Sequence, residues 1–306
     1  MYTFIVNPHS RSGLGQHIWE EVAAILDARG IAYEVFFTKY QKHATQYTKE
    51  LTGDGKEHII VVLGGDGTIN EVISGIMDYS LVTLGYIPTG SSNDFARGLH
   101  LPTEPKRALE HILHPERIRP IDVGVLECPK RTHHFLVSTG IGYDAAICHQ
   151  AVVSKLKVFF NKIKLGKLTY GGIAVNRLFI DPSVTMKITV DDGEPQIFEK
   201  TFFVASMNTP YEGGGFKFCP DAKPDDGLLD VIIVHHMSKK RILMLFPKAY
   251  TGKHVGLSGI EILRGRKIRI ESSQALAVHT DGEPVFLQKN ITVTTAPKQL
   301  RVIVTN

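Results

Sequence analysis

The first 120 or so positions alternate between short apolar runs and segments whose apolar residues recur at helical spacing. Tyr2–Val6, Ala32–Phe37, Ile59–Leu63 and Leu81–Ile87 read as strands, rich in β-branched and aromatic residues and bounded by small polar loops. Between them, Ile18, Val22, Ile25 and Leu26, then residues 43–51, then Ile69, Val72, Ile73 and Ile76 predict helices. Strands and helices alternating at these lengths specify a doubly wound parallel sheet covered by helices, an α/β domain over 1–122. From Ile121 the rhythm changes to closely spaced strand candidates at 121–127, 133–138, 184–190, 197–206, 228–235, 266–271, 275–280, 284–287 and 291–295. With few helices between them, this second half reads as a β-rich sandwich or barrel, assigned to 123–290. Helices are expected near 145–164 and at 238–250, the latter with Ser238 as N-cap. The C-terminal strands of 291–306, Leu300–Val304 among them, are left free to return to the first domain.

Each apolar run of the first half is followed by a loop of unusual composition. Asn7-Pro8-His9-Ser10-Arg11-Ser12-Gly13-Leu14-Gly15, Gly64-Gly65-Asp66-Gly67-Thr68 and Pro88-Thr89-Gly90-Ser91-Ser92-Asn93-Asp94 all fall at carboxyl ends of predicted strands, where open α/β sheets bind ligands. Glycines around Asp66 leave backbone N–H groups unobstructed at a helix N-terminus, which suits a phosphate. A carboxylate repels that phosphate unless a divalent cation or a donor hydroxyl stands between them, so Asp66 points to phosphoryl chemistry with a metal. The plainer alternative is a connecting turn in which Asp66 caps the Thr68 region.

Length and composition narrow the class. With 306 residues, 43% apolar and 22% charged, the chain suits two globular domains. Cys128, Cys148 and Cys219 are too far apart for a Cys-x-x-Cys zinc site or a disulfide framework, which fits a reducing, cytoplasmic setting. The start, Met-Tyr-Thr-Phe-Ile-Val-Asn-Pro, has no basic leader, and no apolar stretch approaches the ~20 residues of a membrane span. The net charge of +4 is unevenly placed: no acid lies between Asp144 and Asp181, while Lys155, Lys157, Lys162, Lys164, Lys167 and Arg177 do. Over 152–167 these lysines alternate with Val152, Leu156, Phe159, Phe160 and Ile163, the pattern of a basic amphipathic helix. Such a helix either lies on an anionic membrane or packs its apolar face on its own domain. His133-His134 and His235-His236 fall in strands, where adjacent side chains diverge, and are not read as metal ligands. Lys239-Lys240-Arg241 and the basic stretch from Arg264 to Arg269 come without any nucleic-acid module, so no nucleic-acid partner is expected.

Asn7-Pro8-x-Ser10, Gly64-Gly65-Asp66-Gly67-Thr68-x-Asn70-Glu71, Pro88-x-Gly90-Ser91-x-Asn93-Asp94-Phe95-Ala96, Gly140-x-Gly142-x-Asp144-Ala145, Gly213-Gly214-Gly215, the Pro220 to Leu229 segment and Asp281-Gly282-Glu283 follow one another in a set order. In that order and spacing the chain resembles the diacylglycerol kinase catalytic-domain family, specifically the soluble bacterial lipid kinases. The resemblance implies an N-terminal α/β domain like those of NAD kinases and diacylglycerol kinases, a C-terminal β-sandwich domain, and ATP- and Mg²⁺-dependent phosphorylation of a lipid hydroxyl. It implies that Asn7, Pro8, His9, Ser10, Arg11, Thr38, Gly65, Asp66, Gly67, Thr68, Ile69, Asn70, Glu71 and Ser91 surround the nucleotide. Asp66, Asp94 and Glu283 are its implied catalytic residues, Glu283 as general base toward the lipid hydroxyl, with Asn93 supporting the network. A second, structural Mg²⁺ is implied at the Asp226 carboxylate and the backbone carbonyls of Lys223 and Leu228.

Read on chemistry alone, Asp281-Gly282-Glu283 is equally a hairpin turn with an exposed acid, and 220–229 a plain Asp-Asp-Gly turn. Arg11 stands where many members of the family have a Gly-Lys-Gly-like stretch, and either contacts phosphate or faces solvent. Ser91 stands where Thr is frequent and keeps the hydroxyl. The partner implied is a lipid at a membrane surface, met by peripheral contact. A homodimer is left open. An NAD kinase-like small-molecule kinase and a non-catalytic nucleotide- or lipid-binding regulator are the rival readings.

Overall fold

The computed structural model describes residues 1–153, 176–178 and 180–305. They form two compact units, one of Met1–Val123 with Ala296–Asn306 and one of Gly124–Thr295.

In the first unit the chain runs β1 (Tyr2–Val6), α1 (Ser10–Ala28), β2 (Tyr33–Phe37), α2 (His43–Thr52), β3 (His58–Gly64), α3 (Asp66–Gly75), β4 (Val82–Pro88), α4 (Asp94–Gly98), α5 (Pro105–Leu113) and β5 (Arg117–Ile121), and is completed by β15 (Leu300–Val304). The sheet order is β2-β1-β3-β4-β15-β5. All neighbours are parallel except β5, which runs antiparallel to β15. Helices cover both faces, so the central strands are buried throughout and read as continuous apolar runs. Every residue of β4 is buried.

β15 returns from the far end of the chain to fill the slot between β4 and β5. Leu300 and Val302 are fully buried there, while Arg301 pairs with Glu57 at 3.0 Å and Lys298 with Asp78 at 2.5 Å. Residues 291–295, by contrast, end the last strand of the second unit.

Around β1 the core is aromatic: Phe4 is fully buried, 5.3 Å from Trp19 and 5.9 Å from Tyr33, ring centroid to centroid. Phe4→Ala is expected to lower stability by about 3–5 kcal/mol, since packed rings close in poorly around such a cavity. Urea unfolding of the two proteins measures it, and a loss below about 1 kcal/mol would contradict the packing described.

The second unit comprises β6 (Gly124–Cys128), β7 (Arg131–Phe135), β8 (Ser138–Gly142), α6 (Tyr143–Val153), β9 (Val184–Val190), β10 (Gln196–Met207), β11 (Leu229–His235), α7 (Lys239–Tyr250), β12 (Ile260–Gly265), β13 (Ile268–Thr280) and β14 (Glu283–Thr295). The order is β12-β11-β10-β8-β13-β14-β6-β7, and β9 pairs with both β10 and β13. That double pairing folds the sheet over a core of Leu126, Phe135, Ile141, Met186, Ile188, Val231, Ile270 and Val278. Ser238 caps α7 by accepting from the Arg241 N–H at 3.3 Å.

Several expected strands change extent. The segments 266–271 and 275–280 are one strand, β13, and 284–287 with 291–295 are one strand, β14. Register shifts between Glu271 and Leu276, and again before Val278, interrupt the alternation that would have revealed them as continuous. The stretch 121–127 divides, because Ile121 ends β5 in the first unit while β6 starts at Gly124 in the second. Among the described residues no helix is long and apolar enough to cross a membrane. Of the basic segment at 152–167, all but its first residues lies outside the described residues.

Candidate active site

At the carboxyl ends of β1, β3 and β4 the three loops of the first unit meet. The Asn7 N–H donates to Leu63 O at 2.9 Å and the Thr89 N–H to Gly64 O at 2.8 Å, so each loop leaves its strand still bonded to the next. Side chains then cross-link them: Asn7 Nδ2 donates to Thr68 Oγ1 at 3.0 Å, and the Ser10 and Thr89 hydroxyls lie 2.7 Å apart.

Glycine is required where the second and third loops touch. A Cβ on Gly90 would stand 2.7 Å from the Gly65 Cα and 2.7 Å from Asn93 Oδ1, and one on Gly64 would meet the Thr68 side chain at 2.5 Å. The close approach packs the two loops main chain to main chain at the start of α3, and a helix N-terminus is an arrangement that accepts an anion.

Asp66 opens α3, yet its carboxylate bonds outside that helix. It accepts the Asp94 N–H at 3.2 Å and the Phe95 N–H at 3.4 Å, and Asp94 in turn is paired with Arg97. Asn93, with φ +51, turns the chain into α4, and its side chain both accepts from Gly90 N at 2.9 Å and donates to Gly90 O at 3.2 Å. Asp66 therefore joins two loops 28 residues apart in sequence, and in its own turn the Thr68 N–H bonds to Gly65 O at 2.9 Å. Beneath them Tyr86 is buried and donates to Gly64 O at 3.2 Å. Its hydroxyl is held well above the usual tyrosine range by burial first, then by the charges of Asp66 and Asp94.

The other nucleotide candidates differ in what they can offer. His9, Arg11 and Ser91 are exposed, and Arg11 takes a positive φ of 47. Thr38 is buried and tied to Val6 O at 2.9 Å, and Ile69 belongs to the core, so it can offer only its backbone. Glu71 accepts the Lys42 N–H at 2.8 Å, holding the start of α2 against α3. The carboxylate of Asp66 is a hard oxygen donor, the type Mg²⁺ takes.

In the second unit, Asp281 and Gly282 form the two-residue turn between β13 and β14, with φ +49 and +80 and Thr280 paired to Glu283 across it. Two positive φ values are what a type I′ hairpin demands, hence Asp-Gly. The Asp281 carboxylate accepts three main-chain N–H groups, from Leu136 at 2.9 Å, Val137 at 2.8 Å and Ser138 at 3.1 Å. Glu283 follows at once, partly exposed, as the first residue of β14.

Beside this turn lies a buried group that sequence reading did not assemble. His279 Nε2 stands 3.2 Å from both Asp144 Oδ2 and Glu212 Oε1, and the three donors fall within 4.8 Å of one another. In the sequence Asp144 stands out only as part of a glycine-aspartate motif, and Glu212 and His279 carry no local signal. They meet because β13 pairs with β8 in a register that sets His279 against Gly140. A Cβ on Gly140 would lie 1.8 Å from Asp144 Oδ2 and 2.7 Å from His279 Nε2. Gly140→Ala should therefore separate the trio and lower stability by about 2–3 kcal/mol, through an unpaired buried carboxylate and overpacking. A thermal melt within 1 °C of the native protein would refute that account.

The 220–229 segment also lies in the second unit. Asp226 Oδ1 accepts the Leu228 N–H at 3.0 Å, and Arg264 Nη2 stands 3.7 Å from Oδ2 while pairing with Asp230 at 3.1 Å and donating to Asp221 O at 3.0 Å. A fixed cation thus already balances the acids of this bend. Asp226 and the carbonyls of Lys223 and Leu228 are oxygen donors on one tight turn, a donor set that suits a hard divalent ion.

Comparison with known proteins accounts for both halves. Residues 1–126 match the diacylglycerol kinase catalytic domain, and residues 137–304 match the YegS C-terminal NAD kinase β-sandwich-like domain. The chain belongs to the diacylglycerol kinase-like lipid kinase family. It is 31% identical to the "Probable lipid kinase YegS-like" of Xanthomonas euvesicatoria pv. vesicatoria, covering 92% of this chain and 90% of that protein. It is 27% identical to the diacylglycerol kinase of Staphylococcus carnosus, over 91% of this chain and 87% of the other. A diacylglycerol kinase structure from Bacillus anthracis superposes with a TM-score of 0.72 at 26% identity, covering 99% of this chain and 96% of that one. An NAD kinase from Archaeoglobus fulgidus shares the fold at a TM-score of 0.52 and 15% identity. Kinase family membership makes the chain a phosphotransferase, and the fold matches that expected from the resemblance.

Proposed function

We propose that this family member transfers the γ-phosphate of ATP, with Mg²⁺, to a hydroxyl of diacylglycerol or a related lipid, which it meets at a membrane surface by peripheral contact. The observation that carries the reading is the joining of the glycine loops at the strand ends by Asp66, which bonds to the Asp94 and Phe95 N–H groups at 3.2 and 3.4 Å. Backbone N–H groups of the Gly64–Thr68 turn bind phosphate, and the Thr68 and Ser91 hydroxyls donate to it. Asp66 would hold the Mg²⁺, which neutralises charge on the transferring phosphoryl group when bound. Glu283, following the braced turn, accepts the proton of the attacking lipid hydroxyl. Asp226 with the carbonyls of Lys223 and Leu228 would hold a second, structural ion.

The test is transfer of labelled γ-phosphate from ATP to a panel of lipids in mixed micelles, with NAD as a parallel acceptor. Labelling of a lipid and not of NAD, lost without Mg²⁺, is the expected result. Labelling of NAD alone, or ATP binding with no acceptor labelled, would overturn it.

A further inference from the structure

The Asp281–Gly282 turn is gripped on both residues. Asp281 is held by three backbone donors, as above, and the Gly282 N–H donates to His279 Nδ1 at 3.2 Å. An imidazole nitrogen that accepts a hydrogen bond carries no proton, so in this arrangement the ring's proton sits on Nε2. Nε2 faces Asp144 Oδ2 and Glu212 Oε1, both at 3.2 Å. Ionised carboxylates accept and never donate, which makes them a tautomer filter: only a ring that donates from Nε2 satisfies them. His279 is fully buried, so no solvent offers an alternative partner.

The same trio could be mistaken for a cation site. A histidine that binds metal through Nε2 donates its Nδ1–H to an acceptor, and here Nδ1 faces a backbone donor instead. Among the described residues Asp144 Oδ1 and Glu212 Oε2 have no hydrogen-bond partner; burial pushes the Asp144 carboxyl above its ordinary value, and the His279 ring, although burial lowers it, is raised well above the usual histidine value by the charges around it. With the Gly282 N–H facing Nδ1, the extra proton this cluster binds goes to a carboxyl rather than to the ring, and the carboxylate left ionised accepts the Nε2–H. Cys148 on the same helix is pushed up to about 12 by burial and remains a neutral thiol.

We infer that Asp144 and Glu212 fix His279 as its Nε2–H tautomer, and that this ring, through the Gly282 N–H, sets the turn that presents Glu283; the three are positioning residues. The inference rests on the reading of Glu283 as the base. Three separate elements contribute: the start of α6, the loop around the Glu212–Phe216 bridge, and β13. Glu283 sits at the strand end directly after this turn, paired with Thr280 across it. A base displaced by about an ångström can lose roughly a hundredfold in rate, so a rigid hold on this turn matters for transfer.

Two substitutions separate the ends of the ring. His279→Asn keeps an acceptor near the Nδ1 position and loses the Nε2 donor; His279→Gln keeps a donor near Nε2 and loses the acceptor. In protein labelled with ¹⁵N at histidine, the ring signals absent from the His279→Asn spectrum should show a neutral ring protonated on Nε2. Gly282 amide exchange should be slow in the native protein and in His279→Asn, and about five- to tenfold faster in His279→Gln. In lipid labelling, His279→Gln should lose roughly ten- to a hundredfold in kcat with the KM for ATP within about twofold, and His279→Asn should retain more of the rate.

A doubly protonated or Nδ1–H ring would overturn the inference. So would a stoichiometric divalent metal that disappears in Glu212→Gln, or unchanged Gly282 exchange in a folded His279→Gln protein. If the native protein labels no lipid, the proposed function fails, while the ring tautomer and the Gly282 exchange still decide how the turn is held. If Glu283→Gln is inactive and His279→Gln fully active, the positioning role alone falls.

Discussion

Asp66→Asn is expected to lower the rate of phosphoryl transfer by about a thousandfold or more, with the protein still folded. The carboxylate lies at the join of the glycine loops, accepting the N–H groups of Asp94 and Phe95. Asparagine presents one carbonyl oxygen and one amino group, so one of the two N–H groups would face another donor. Losing one charge-assisted hydrogen bond costs about 1.5–3 kcal/mol, a visible fall in melting temperature that leaves most of the protein folded at 25 °C. The activity loss is larger because the neutral amide is a far poorer ligand for Mg²⁺ and cannot help offset charge on the phosphoryl group. The measurement is labelled phosphate transfer at saturating ATP, beside a thermal melt. A variant that melts lower yet keeps more than about a tenth of the native kcat would confine Asp66 to a structural part.

Glu283→Gln is the second large effect. Glutamine has nearly the same shape and cannot accept a proton, and positioned proton transfer contributes about 10²–10⁴ in rate. The expected outcome is a kcat lower by that factor, an unchanged KM for ATP and a melting temperature within about 1 °C of native, since Glu283 is partly exposed and leaves no cavity. The contrast between the two variants is informative in itself. Asp66→Asn should change stability and rate together, whereas Glu283→Gln should change rate alone. Equal rates for Glu283→Gln and the native protein would return the Asp281–Glu283 segment to an ordinary type I′ hairpin.

Both sites were legible in the sequence to different depths. Gly64 to Thr68 and Pro88 to Asp94 announced themselves because several glycines, hydroxyls and acids in a row, directly after an apolar run, have few structural reasons to exist. Asp281-Gly282 likewise announced its turn, as the two positive φ values required. β8 was less visible: Ser138, Gly140 and Gly142 have low strand preference, and the strand forms because β10 and β13 pair on either side of it. That Asp144, Glu212 and His279 form a trio was invisible, since Asp144 and His279 lie 135 residues apart and no local pattern links the three.

The sequence by itself determined the elements and most turns of this protein, because helix and strand periodicity, glycine at positive φ and loop composition are local properties that neighbouring residues dictate. It also indicated which loops would lie together, since the carboxyl ends of parallel strands share one edge by construction. Only the tertiary structure decided that β15 enters between β4 and β5, that Asp66 bonds to the start of α4, and that His279 reaches two carboxylates through the space left by Gly140. Each of these depends on strand register and on which residue leaves room. Burial and pairing across long separations in the chain set both, and those are properties of the folded whole.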